Sequence, residues 1–255
     1  MEYLWLCLAA FGAGAVNAVA GGGTLLTFPT LDATRIGSVF ANATSAIALL
    51  PGSAASAWGY RRELANCPRW LVLLGIPSLL GGGLGALLLY YGGEPTFKAI
   101  VPWLILAAAT LFLLQPAISR FFRQHAAHGP PSPRLLAVIL VCQFAIGLYG
   151  GYFGAGIGIL MLSSLSFLGL ADIHHVNALK TFLALCMNGV SAMLLSVLGQ
   201  VVWPYGLAMA AAAIIGGYAG ARLALKLRPP IVRWIVIVLG FSLAAYYLFR
   251  EFTAS

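Results

Sequence analysis

The feature that most constrains this 255-residue chain is the distance it runs between charges. No Asp, Glu, Lys or Arg occurs in the 29 residues between Glu2 and Asp32, the 25 between Arg35 and Arg61, the 24 between Arg69 and Glu94, or the 21 between Lys98 and Arg120. Further on, the gaps are 37 residues (Arg134 to Asp172), 41 (Lys180 to Arg222) and 16 (Arg233 to Arg250). About 20 apolar residues suffice to cross a hydrocarbon layer about 30 Å thick. The gaps therefore hold at least eight hydrophobic segments, at 4–31, 36–60, 70–91, 97–118, 135–170, 173–198, 202–225 and 231–249. Spans in lipid must be helical here, because each backbone N–H and C=O has to be satisfied within its own segment. The expected fold class is an all-α polytopic membrane protein.

Composition closes the other routes. The chain is 61% hydrophobic and 8% charged, where soluble domains run near 45–50% and about 25%. That excludes a soluble enzyme, and it is the reverse of a disordered chain. The net charge of +8 sits in short loops, where membrane topology explains it, so no nucleic-acid partner is expected. Glu2 stands where a signal peptide carries Lys or Arg, and no cleaved leader is expected. Cys7, Cys67, Cys142 and Cys186 form no CxxC pair and read as small hydrophobes, with no metal and no cofactor implied.

The chain also repeats itself. AVNAVAGGGTLL (15–26) matches YGGYFGAGIGIL (149–160), with Gly21 and Gly23 opposite Gly154 and Gly156. FANATSAIAL (40–49) matches HVNALKTFLAL (175–185), with Asn42 opposite Asn177 and, allowing one insertion, Ser45 opposite Thr181. GGGLGALLL (81–89) matches GGYAGARLAL (216–225), with Gly85 opposite Gly220. The offset stays between 133 and 136. The expected organisation is a first transmembrane repeat at 1–118, a basic Pro/Gly linker at 119–134 that includes His125 and His128, and a second repeat at 135–255.

Basic charge switches sides between equivalent loops. It follows the second segment of the first half (Arg61, Arg62, Arg69) but the third segment of the second half (Arg222, Lys226, Arg228, Arg233). Since Lys and Arg collect on the cytoplasmic side, the two halves read as inverted repeats, a common transporter plan. Inversion needs an odd number of crossings per half, which a broken, re-entrant first segment supplies, with up to ten crossings in all. Segment 135–170 is about 54 Å long as a helix, and each Gly in a run such as Gly21-Gly22-Gly23 costs a helix about 1 kcal/mol. Gly81–Gly85 and Gly216–Gly220 read instead as close-packing positions.

Polar residues at membrane depth are costly and gather at the breaks and the start of the following segment. They are Asn17, Thr24, Thr27, Asn42, Thr44 and Ser45 in the first half, and Asn177, Lys180, Thr181, Asn188 and Ser191 in the second. Two broken helices with N-termini aimed at one midplane site would bind an anion through free N–H groups and the positive dipole end. The candidate substrate-binding set is Gly21, Gly22, Gly23, Thr24, Asn42, Thr44, Ser45, Gly154, Gly156, Asn177, Lys180 and Thr181. Lys180 has two readings: an anion-binding cation, or a snorkelling residue near the membrane edge marked by Asp172, His174 and His175. No carboxylate lies well inside a segment, although Asp32 and Asp172 at the hairpin ends stay open for proton coupling. No Ser, Cys or Thr pairs in sequence with a base at similar depth, so enzyme activity is not expected.

Two halves, a GGG-bearing opening segment, FANATS and VNALKT, then YRRE and GARLALKL resemble the TauE/SafE family of sulfite and organosulfonate exporters over about residues 5–250. The resemblance implies a bacterial inner-membrane, multi-pass secondary carrier of sulfite, sulfoacetate or related sulfonates, driven by the proton gradient. It maps the family's Gly-rich turn onto Gly21, Gly22 and Gly23, and its Asn-Ala-Thr-Ser stretch onto Asn42, Thr44 and Ser45. In the second half Asn177, Lys180 and Thr181 take those places. The partners implied are a small anionic substrate, the lipid bilayer and a coupling proton, with a homodimer left open. The alternative function is an uptake permease for a sulfonate or another small organic anion.

Overall fold

The computed structural model describes residues 1–19, 22–124, 131–168, 173–224 and 229–254, and every regular element among them is helical. Gly21, His125, His128, Asp172, Lys226 and Arg228 lie outside the described residues, as do the side chains of Arg222 and Arg233 and the surroundings of Gly220. The α-helices are α1 (Glu2–Val19), α2 (Thr24–Asp32), α3 (Ser38–Gly59), α4 (Arg61–Ala65), α5 (Pro68–Gln124), α6 (Pro133–Tyr152), α7 (Ile157–Leu165), α8 (Ile173–Val197), α9 (Trp203–Ala224) and α10 (Pro229–Ala254).

The opening segment of each half breaks at its glycines. Gly22, Gly154 and Gly156 take φ values of +89°, +83° and +77°, left-handed backbone that a Cβ disfavours. After each break the chain doubles back. Gly23 lies against the Ala13 carbonyl and Leu26 against Gly12, while Ile157 lies against Gly150. The returning helices α2 and α7 are nine residues each, about 13 Å.

Helix α5 covers two of the sequence segments. Its 57 residues are interrupted at Gly93 (φ 69°, ψ −178°), two residues before Pro95. A straight helix of that length would run about 85 Å, so the break yields arms 68–92 and 94–124. Among the described residues, Pro68–Ile118, Pro133–Tyr152 and His174–Val197 are long and apolar enough to cross a membrane, and the first contains both arms. Its outer face carries Ile76, Leu80, Leu84 and Leu88, all exposed at helical spacing. Water would penalise such a stripe; lipid does not.

The halves pack by exchange. Helix α1 runs parallel to α9: the Tyr3 and Tyr205 rings meet at 5.1 Å, the Cys7 thiol points to the Ala208 carbonyl at 3.8 Å, and Gly14 abuts Ala213 and Gly217. The first arm of α5 runs parallel to α6: Gln143 Nε2 donates to Ser78 Oγ at 2.9 Å, and Gly85 abuts Leu148 and Tyr152. Gly81 and Gly216 are close-packing positions of this kind, set against the backbone at Phe144 and Phe11 respectively. Helices α3 and α8 are antiparallel. Near the start of α3, Thr44 Oγ1 accepts the Val202 N–H at 3.0 Å from the chain that follows α8. Beyond the end of α3, Cys67 and Trp70 cluster with Val176 and Leu179 of the first turns of α8.

Candidate functional site

Helices α3 and α8 face each other across a cavity of about 330 Å3. From α3 come Asn42, Ala46, Leu49, Ser53 and Ser56, and from α8 Asn177, Thr181, Ala184, Asn188 and Ser191, with Leu50 of α3 and Lys180 of α8 as one further residue each. The first five lie 135 positions before the second five, while Leu50 and Lys180 have no counterpart in the lining. Steps of four and three keep each set on one helix face. The two helices therefore share five equivalent positions on the cavity wall and differ at Leu50 and Lys180.

The breaks supply the rest of the wall. Gly22 and Thr24 at the start of α2, and Gly156, Ile157 and Gly158 at the start of α7, border the cavity. Neither short helix has a side-chain cap at its N-terminus. Some of their first N–H groups turn back onto the break: those of Leu25 and Leu26 donate to the Gly22 and Gly23 carbonyls at 3.0 and 2.9 Å, and that of Ile159 to the Gly156 carbonyl at 3.1 Å. A helix N-terminus carries a partial positive charge, and two of them border this space from two directions.

Part of the polar lining braces the breaks. Asn42 Nδ2 donates to the Tyr152 carbonyl at 3.0 Å and Ser191 Oγ to the Gly151 carbonyl at 2.8 Å; behind the wall, the Tyr149 hydroxyl donates to the Ala155 carbonyl at 2.7 Å. Thr181 Oγ1 donates back to Asn177 C=O at 2.8 Å. In contrast, the side chains of Asn17, Asn177, Asn188 and Lys180 line the cavity and make no hydrogen bond among the described residues. Lys180 is the one charged residue in the lining among them. Its Cδ lies 3.8 Å from where a Cβ on Gly158 would sit, beside the N-terminus of α7.

Of the sequence-predicted set, Gly22, Thr24, Asn42, Gly154, Gly156, Asn177, Lys180 and Thr181 come together around this cavity. Gly23, Thr44 and Ser45 do not. Gly23 is buried against Ala13, Thr44 holds Val202, and Ser45 Oγ bonds Thr27 Oγ1 at 2.5 Å. The pairing of Ser45 with Thr181 through an insertion is corrected: both helix faces run uninterrupted, so the constant spacing pairs Thr181 with Ala46 and Lys180 with Ser45. Sequence reasoning left out Ser53, Ser56, Tyr60, Phe112, Gln115, Gly150 and Gly151, all of which line the cavity. Extending the helical period from Asn42 would have found the two serines. Gln115 sits among leucines and carries no such signal.

The cavity reaches the surface at exposed Ser56 and at Tyr60, beside Arg61 and Arg62. No group of three or more His, Cys, Asp or Glu that could hold a metal ion occurs among the described residues.

The family model described as "Sulfite exporter TauE/SafE" matches residues 6–247. A "Probable membrane transporter protein" of Haemophilus influenzae is 30% identical over 244 residues, covering 94% of this chain and 92% of the relative. The "Probable membrane transporter protein YfcA" of Escherichia coli K12 is 28% identical over 242 residues, covering 93% and 86%. The "Probable membrane transporter protein ORF9" of a Sinorhizobium species is 29% identical over 241 residues, covering 94% and 90%. No solved structure matches.

Proposed function

The chain belongs to the sulfite exporter TauE/SafE family of membrane transporters, and on that premise we propose that it exports small sulfur-containing anions, such as sulfite, sulfoacetate or related organosulfonates, by alternating access. The observation that carries the proposal is a cavity to which α3 and α8 contribute five equivalent positions, with Lys180 and two helix N-termini without side-chain caps on its wall. A desolvated anion needs positive charge and several N–H donors at once. Lys180, the α2 and α7 N-termini and the amides of Asn17, Asn177 and Asn188 are of that kind. At about 330 Å3 the space is at the small end for ligand pockets, roughly 300–1,000 Å3, which suits a small sulfonate with some of its water.

The transport reading includes an inverted repeat, supported by the packing. Helix α1 lies on α9 while the first arm of α5 lies on α6, and α3 opposes α8. In this reading Arg61, Arg62, Arg69, Arg120 and Arg134 share one face with the end of α9, which the helix directions support. By the positive-inside rule that face is cytoplasmic, in a bacterial inner membrane. The chain then makes six crossings (α3, the two arms of α5, α8, α9 and α10) and two hairpins that return to the side they left. An interior-negative potential drives anions outward by about 2.3 kcal/mol per charge per 100 mV, and the proton gradient supplies further drive.

The substrate class is tested by thermal unfolding of the detergent-purified protein with sulfite, sulfoacetate, taurine, sulfate and matched carboxylates. A ligand at 100 times its Kd adds about 2.7 kcal/mol of stability. Stabilisation by sulfonates above their carboxylate analogues is expected. Equal or greater stabilisation by the carboxylates would overturn the assignment.

A further inference from the structure

A second crevice, of about 650 Å3, lies toward the opposite end of α3 and is lined by Asp32, Arg35, Gly37, Ser38, Lys98 and Tyr247 among others. On α3, Ser38 belongs to this crevice and Asn42 to the central cavity, about 6 Å of helix apart. Fully buried Phe28 and Phe97 fill the interval. The Phe28 ring meets Phe97 at 5.9 Å, Phe153 of the cavity wall at 5.7 Å, and Tyr247 of the crevice at 6.3 Å.

The same place is tied across four helices. The Glu94 carboxylate, at the break in α5, accepts the backbone N–H groups of Ser38 and Val39, the latter at 2.9 Å, and pairs with Lys98 at 3.1 Å. Asp32 at the end of α2 accepts the Ser38 hydroxyl at 2.5 Å and the Tyr247 hydroxyl of α10 at 2.8 Å. One turn along α3, Asn42 holds the Tyr152 carbonyl, immediately before Phe153. The first two turns of α3 are thus bonded to Glu94, through Ser38 and Val39, and to the chain that carries one ring of the aromatic layer, through Asn42.

We propose that the crevice is the outer vestibule of the same permeation path, and that the Phe28–Phe97–Phe153 layer, latched by Glu94 on the first turn of α3, is the closed gate between vestibule and cavity. The proposal rests on the transporter reading and gives that reading its second door. The cavity is open beside Arg61 and Arg62 and shut beside Asp32. Releasing Ser38 and Val39 from Glu94 frees the first turn of α3 to swing, and Asn42 draws Phe153 out of the layer with it.

The test is thiol labelling of Ala46→Cys, on the cavity side of the layer, with a membrane-impermeant reagent added to right-side-out or inverted vesicles. Peptide-resolved mass spectrometry reads position 46 against the native cysteines. With the native gate, labelling from the Asp32 face should be at least tenfold slower than from the Arg61 face. Glu94→Gln, whose amide oxygen cannot serve both N–H groups as the carboxylate does, should raise the Asp32-face rate at least tenfold, and so should Phe97→Ala. Glu94→Gln with an unfolding midpoint near that of its parent decides the matter even where Phe97→Ala does not fold. Equal rates from both faces with the native gate, no reaction from either face, or an unchanged Asp32-face rate in Glu94→Gln would each overturn the gate. Labelling uses no substrate, so a wrong choice of anion leaves this result standing.

Discussion

Gly14 and Ala213 touch backbone to backbone: a Cβ on Gly14 would run into the Ala213 carbonyl oxygen, and Gly217 lies just beyond at 2.8 Å. A Cβ on Gly147, 133 residues later, would sit 3.1 and 3.4 Å from the backbone of Ser78 and Gly82, and those two residues precede Ala213 and Gly217 by 135. Each half therefore puts its first helix against a small-residue stripe of the other, and two halves related by a pseudo-twofold axis would do this. The two contacts differ in closeness, which gives a stability prediction. Gly14→Ala should destabilise by about 1–3 kcal/mol, as overpacking does, and Gly147→Ala by less. Gly52→Ala, with nothing within 4 Å, should be neutral or stabilising. Unfolding midpoints check the order, and a larger loss at Gly147 than at Gly14 would contradict it.

Lys180 and Ser45 occupy equivalent sequence positions yet differ in role. Lys180→Gln should weaken anion binding more than tenfold, about 1.4 kcal/mol, with little change in the stability of the unliganded protein. Ser45→Ala should leave affinity within twofold while costing about 1 kcal/mol of stability through loss of the Thr27 hydrogen bond. Titration calorimetry and thermal unfolding separate the two effects. An affinity unaffected by Lys180→Gln would return that side chain to a snorkelling role.

At Gly22 the left-handed φ makes any side chain strained by about 1–2 kcal/mol, and a Cβ would sit 2.5 Å from the tip of the Phe112 ring. Gly22→Leu should fill the approach to the α2 N-terminus and abolish flux while the protein still reaches the membrane and unfolds cooperatively. Flux near the native rate in that variant would show that the break does not border the path.

For Glu94, directly after the Gly93 break and outside the hydrophobic segments 70–91 and 97–118, burial alone would raise the carboxyl pKa. The N–H groups of Val39 and Ser38 and the charge of Lys98 outweigh that and hold it below the ordinary range. A carboxylate with a depressed folded-state pKa adds stability that is complete above the unfolded value, about 4.3. That stability is lost as pH falls through the lower folded value. Acidification from pH 5 to pH 3 should therefore lower the unfolding midpoint of the native protein more than that of Glu94→Gln. Parallel pH profiles would refute the latch as a source of stability.

Much of this architecture is legible in the sequence because lipid imposes simple rules. Charge-free runs mark most of the long helices, with Lys180 interrupting α8, and consecutive or near-consecutive glycines mark both breaks. The Asn42–Asn177 match gives the register of the two cavity-lining helices. The site was less legible where local pattern and three-dimensional facing part company. Thr44 and Ser45 are polar neighbours of Asn42, but on α3 they turn toward Val202 and Thr27. Asn188 lies eleven residues along from Asn177 on the same face, yet well outside the short motif. Gln115 arrives from the far arm of α5, and Glu94 reaches α3 across 55 residues of chain. Such contacts follow from the packing of whole helices, which no window of sequence contains.

The most direct test of the central claim is efflux from proteoliposomes loaded with sulfite or sulfoacetate, with an imposed interior-negative potential and proton gradient, for the native protein and for Lys180→Gln. Efflux of both anions should exceed that of a matched carboxylate and should fall at least tenfold at subsaturating anion in the variant. Carboxylate efflux equal to or faster than sulfonate efflux, or native-like rates in Lys180→Gln, would contradict that claim.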